Sequence, residues 1–110
     1  MANNELGLLQ GTLDVLVLKA LSAQSRHGYA VAQWIRSTTE NTLQIEDGAL
    51  YTALHRMEKR GWLTSTWGQS ENNRKAKYYK ITAAGRKHLK VRSKTWSKYA
   101  EAVSKILQST

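Results

Sequence analysis

The chain has 110 residues, 41% of them hydrophobic, a formal net charge of +9 and a pI of about 10.0. That length suits one domain with a modest core and little stability to spare. The absence of cysteine excludes a disulfide framework, a thiol nucleophile and a cysteine-ligated metal. The longest apolar run, Val15–Leu18, is too short to span a bilayer, and no signal-peptide hydrophobic segment is visible, so no membrane partner and a cytoplasmic location are expected. The charge is uneven: residues 56–98 hold 13 of the 17 Lys and Arg but only two acids, Glu58 and Glu71. Clustered positive charge favours polyanionic partners.

In chain order, Thr12 can cap a first helix running to about Leu21. Leu13, Val15, Leu16, Val17, Leu18, Ala20 and Leu21 leave only Asp14 and Lys19 polar. A helix apolar nearly all round is buried on more than one side; in so small a chain, a side carrying Leu13, Leu16 and Val17 is expected to face a second subunit. After the loop Ser22–His27, a second helix is predicted from about Gly28 to Ser37, with Val31, Ala32 and Ile35 inward and Gln33 and Arg36 outward. The polar segment Thr38–Gln44 precedes a third helix from about Asp47 to Arg60. Its core positions are Leu50, Leu54 and Met57; Tyr51, Thr52, His55, Arg56 and Lys59 lie toward other faces.

Gly61 fits the left-handed position that ends a helix. Trp62–Trp67 reads as a strand, with Leu63 and Trp67 expected to pack inward at least partly, and Gly68–Asn73 carries turn chemistry. Lys75–Ile81 is the returning strand, its alternation setting Tyr79 and Ile81 on one face and Ala76, Tyr78 and Lys80 on the other. Thr82 can cap a last helix to about Leu107, where Leu89, Trp96 and Val103 recur every seven residues with Tyr99/Ala100 and Ile106/Leu107 between them. This heptad-like seam, interrupted at Arg92 and Ser93, lies beyond the core and is expected to pair with a second copy of the chain. The expected class is mainly α with a small β-hairpin: a winged helix-turn-helix in residues 1–81 and a C-terminal dimerisation helix in residues 82–110.

The chain resembles the PadR family of transcriptional regulators, in the short subgroup with a single C-terminal helix. The resemblance is carried by Leu13 through Leu21, by His27-Gly28-Tyr29, by Gly48-Ala49-Leu50-Tyr51 with Leu54 and Arg56-Met57-Glu58, by Gly61-Trp62-Leu63, and by Arg74 through Thr82 with Gly85. It covers about residues 8–87. Thr52 stands where many members carry proline. The resemblance implies a homodimer held by terminal helices, with each winged domain reading half of a roughly palindromic operator in double-stranded DNA, usually to repress. It implies that Tyr51, His55 and Lys59 lie on the recognition helix, Tyr29 and Gln33 on the preceding helix near the DNA backbone, and Arg74, Lys75 and Lys77 on the wing.

The residues themselves support these roles unequally. Arg74, Lys75 and Lys77 form a tip of long cations suited to phosphates, against the reading of a solvated basic turn. His55 and Lys59 share a helical face that could reach bases or phosphates, or simply be solvated. Tyr51 can donate its hydroxyl to phosphate or pack within the domain. The expected subunit interface comprises Leu13, Leu16, Val17, Leu89, Trp96, Tyr99, Val103 and Ile106. Trp96 can simply fill it, or form the flat wall of a pocket for an aromatic small-molecule effector, as the likeness of Lys94–Lys98 to some drug-binding relatives suggests. No cofactor or metal is expected: His27, His55 and His88 lie 28 and 33 residues apart, without metal-ligand spacing. A basic nuclease using His55 or His88 as base is disfavoured by the scarcity of acids. The alternative to a specific regulator is a sequence-tolerant nucleic-acid-binding or architectural protein, which would share the charge pattern.

Overall fold

The computed structural model describes residues 10–110; the first nine residues of the expected 1–81 domain lie outside it. Helices α1 (Gln10–Ser22), α2 (Gly28–Thr38) and α3 (Asp47–Lys59) precede a hairpin of β2 (Leu63–Gln69) and β3 (Lys75–Ile81), and α4 (Ala83–Gln108) ends the chain. A two-residue strand, β1 (Arg26–His27), completes an antiparallel sheet in the order β1-β3-β2. It pairs Arg26 with Tyr79 and His27 with Tyr78. This strand was not anticipated, because two residues inside a loop carry no periodicity to read.

The helices form because each carries an apolar stripe that meets the others in one core. Val17, Leu18 and Leu21 of α1, Ile35 of α2, and Leu50, Leu54 and Met57 of α3 are almost wholly sealed from solvent, with Leu63, Tyr79 and Ile81 closing the core from the sheet. Burying each such side chain contributes about 1.5–3 kcal/mol. Two expectations about α1 fail here. Thr12 lies within the helix rather than capping it. Leu13 and Val17 are spent inside the chain's own core, so neither offers surface to a partner, while Leu16 is half-buried and packs on that core. The helix is apolar on several sides because α2, α3, α4 and the sheet all contact it within one chain.

The ends of the elements are well satisfied. The last carbonyls of α1 accept from Arg26 Nε (2.7 Å, at Ala20) and from Arg86 Nη1 of α4 (3.1 Å, at Ser22). Helix α3 stops in a Schellman turn: Gly61 takes φ +80°, its N–H donates to Glu58, and that of Trp62 donates to Met57. Thr82 caps α4, its hydroxyl accepting from Gly85 N at 3.0 Å.

Helix α4 is anchored most closely at its start, and α1 flanks it as far as Tyr99. A Cβ on Gly85 would stand 2.3 Å from the Trp62 carbonyl oxygen and 2.8 Å from Ile81 Cγ1. One turn later His88 stacks on Trp62, ring centroids 3.7 Å apart at 17°. Burial, and then the neighbouring Arg92, lower the pKa of His88. Leu89 packs half-buried against the chain's own core, so only part of it is left for the expected seam. Beyond it α4 runs on as an exposed rod, and the molecule reaches 56 Å in its longest dimension.

Candidate nucleic-acid interface

Helix α2 begins at a local device rather than an apolar one. The Nδ1 of His27 accepts from Ala30 N (3.3 Å) as N-cap, and its ring meets Tyr78 edge-on at 5.3 Å. The next residue, Gly28, is buried beneath Tyr51 of α3; a Cβ there would come within 2.6 Å of that ring. The two short motifs HGY and GALY are thus one contact, and it sets how closely α2 approaches α3. Tyr29 and Gln33 face outward from α2, and Tyr51 remains 41% exposed although its ring rests on Gly28.

On α3, Tyr51, Thr52, His55 and Lys59 are exposed while Leu50, Ala53, Leu54 and Met57 are buried. Arg56 takes neither path. It forms an ion pair with Asp14 of α1, which is only 5% exposed, and the Arg56 Nε is buried with no hydrogen-bond partner among the described residues. The pair ties the recognition-type helix to α1 across 42 residues of sequence. The only hint in the sequence was one acid within an apolar helix.

The hairpin is longer than expected. Its ladder runs without a break from Leu63–Ile81 to Gln69–Lys75, leaving only Ser70–Arg74 as the tip, with Asn73 in the left-handed region at φ 61°. Glu58 of α3 clasps the hairpin: it accepts from Ser65 Oγ at 2.6 Å and pairs with Lys77 Nζ at 3.5 Å. The Ser65 hydrogen bond, opposed by burial and aided by Lys77, lowers the Glu58 pKa. Lys77 also lies over the Tyr79 ring, so it is half-buried, whereas Arg74 and Lys75 are exposed. Burial first of all raises the pKa of Tyr79, which faces the core as its alternation implied.

These elements enclose an open groove of about 580 Å³. Tyr29 and Gln33 of α2, Tyr51 and His55 of α3, and Arg74, Lys75 and Lys77 of the wing all line it. Lys59, exposed one turn beyond His55, does not. Trp67 does, and it is 65% exposed, less covered than the expected partial packing inward suggests. Its alternation is right, since it shares the face of Leu63 and Ser65. The strand has outrun the core by that point, and counting from Gly61 to the tip was the available signal.

A second, smaller groove of about 300 Å³ lies between α1 and α4, lined by Gly11, Thr12, Val15, Arg92, Thr95, Trp96 and Tyr99. Trp96, Tyr99, Val103 and Ile106 are all exposed along α4. Among the described residues no helix is long and apolar enough to cross a membrane.

A three-helix core with a basic hairpin beside an exposed third helix defines a winged-helix DNA-binding regulator. The model of the "Transcriptional regulator PadR-like family" matches residues 17–91, and the chain belongs to that family. It is similar to a transcriptional regulator of Clostridium thermocellum (TM-score 0.81, 28% identity, 89% of this chain and 95% of that one). A PadR family regulator of Eggerthella lenta has TM-score 0.78 and 30% identity, over 99% of this chain and 93% of that one. An uncharacterised protein of Lysinibacillus sphaericus is 30% identical over 101 residues, 92% of this chain and 93% of its own length.

Proposed function

We propose that this regulator acts in the cytoplasm as a homodimer that represses transcription from a roughly palindromic operator. Residues 1–81 serve as the reading domain and residues 82–110 as the dimerisation helix. The observation that carries the reading is the groove, where side chains from α2, α3 and the wing converge with an excess of cations. His55 and Tyr51 approach base edges or phosphates, Tyr29 and Gln33 the backbone beside them, and Arg74 and Lys75 the phosphates flanking the wing. Lys77, already paired with Glu58, holds the wing as much as it contacts DNA, and Lys59 makes a peripheral phosphate contact.

The exposed stripe of Trp96, Tyr99, Val103 and Ile106 supports pairing through α4, since apolar residues this large seldom line one face of an uncovered helix. The groove beside Trp96 supports a planar aromatic effector that adjusts the separation of the two reading heads.

Selection of bound sites from a random duplex pool at fixed salt, followed by footprinting upstream of the protein's own gene, tests the proposal. Recovery of one two-fold symmetric site that resists excess random duplex is the expected result. Uniform binding of all duplexes would establish the sequence-tolerant alternative instead.

A further inference from the structure

Trp67 is a large side chain of the wing that the fold leaves largely uncovered. It belongs to the sheet face that looks toward α3, opposite Lys77 in the ladder. Along that face Leu63 is sealed in the core and Ser65 reaches Glu58, but beneath Trp67 there is only the open groove. Its indole is 65% exposed, and its Nε1–H has no protein acceptor among the described residues. Lys75 holds its ammonium over the ring, 5.5 Å from the centroid. The rest of the lining is rich in cations and hydroxyls, with Glu71 its one acid. A surface that joins an uncovered aromatic to flanking cations fits a ligand alternating apolar and anionic parts, as deoxyribose and phosphate alternate along a DNA strand.

We propose that Trp67 is a direct DNA contact of the wing. Its indole packs on the deoxyribose rim of the duplex in the groove, Nε1–H donates to a phosphate oxygen, and Lys75 above the ring reaches the adjoining phosphate. The proposal rests on the groove being the DNA-binding face. It assigns the wing an apolar contribution to affinity that the lysines and arginine cannot supply. Because the indole is uncharged, this contact displaces no counterions and is insensitive to salt.

Titration of a fluorescently labelled mixed-sequence duplex, and of the selected site, across a salt series separates the two ideas. Trp67→Ala is expected to weaken binding roughly tenfold, at the low end of what losing an aromatic stacked on a base costs, with the slope of log K against log salt unchanged. Trp67→Phe is expected to recover most of the loss. Arg74→Ala is expected to flatten the slope by about one. With 5-fluorotryptophan incorporated, the ¹⁹F resonance missing from Trp67→Phe should shift on adding duplex. Because the ring is exposed, both variants should unfold at the wild-type temperature.

Wild-type affinity in Trp67→Ala, a loss accompanied by a flatter slope, or an unmoved ¹⁹F resonance overturns the proposal while leaving the groove reading intact. An unchanged slope in Arg74→Ala, or no salt-dependent binding by the wild type, overturns the groove reading and this contact with it.

Discussion

Single residues set two close approaches between elements, and both are glycines with a neighbour standing where a Cβ would be. Gly28 leaves room for Tyr51, and Gly85 lets the first turn of α4 settle against the Trp62 carbonyl. The obstacles differ: Tyr51 can swing outward, whereas a backbone carbonyl cannot yield. Gly85→Ala should therefore lower stability by about 1–3 kcal/mol, as overpacking does elsewhere, measurable by urea denaturation. Both positions were legible as motif glycines, but what each one faced was not, because the opposing atoms lie 23 residues away in each case, toward the C-terminus for Gly28 and toward the N-terminus for Gly85.

At the scale of elements, local pattern was a good guide wherever a segment had an uninterrupted apolar period. Helices α2 and α3, strand β3 and the Thr82 cap lie close to where side-chain spacing and capping residues put them. Pattern failed where a partner from elsewhere decided the outcome, as with β1, the outer half of β2 and the direction of Arg56. The Asp14–Arg56 pair makes α1 and α3 a unit, so the pose of the recognition helix depends on α1. Asp14→Ala leaves the Arg56 cation largely buried without its counter-charge and should cost about 3 kcal/mol. Replacing both, as Asp14→Ala with Arg56→Met, should recover much of that loss. A thermal-melt cycle of wild type, both single variants and the double variant checks the coupling; additive losses would remove it.

At the scale of the whole molecule, the reading domain is compact and α4 is not. Past Leu89 the helix carries Trp96, Tyr99, Val103 and Ile106, all of them exposed among the described residues, with α1 flanking only the first two. If α4 joins two copies, Val103→Asp sets a charge into the seam and should shift sedimentation from dimer to monomer. DNA affinity should fall with it, since a single reading head loses the second half-site. A wild type that sediments as a monomer would contradict the arrangement. A dimer would carry twice +9, a formal +18, so loose binding to any duplex at low salt is expected and is distinct from recognition.

The amino-acid sequence by itself determined the class of fold, the order of its main elements, the basic hairpin beside an exposed helix, and the heptad-like spacing of α4. All of these follow from short-range periodicity, turn chemistry and charge. Only the tertiary structure decided which apolar residues were already occupied and which were left over. It drew Leu13 and Val17 into the core, Leu89 against it and Arg56 onto Asp14, and it left Trp67 uncovered over the groove. Alternation along a strand or helix gives the side on which a residue lies. Whether anything lies beneath it depends on where another part of the chain ends, and that is settled only when the elements pack.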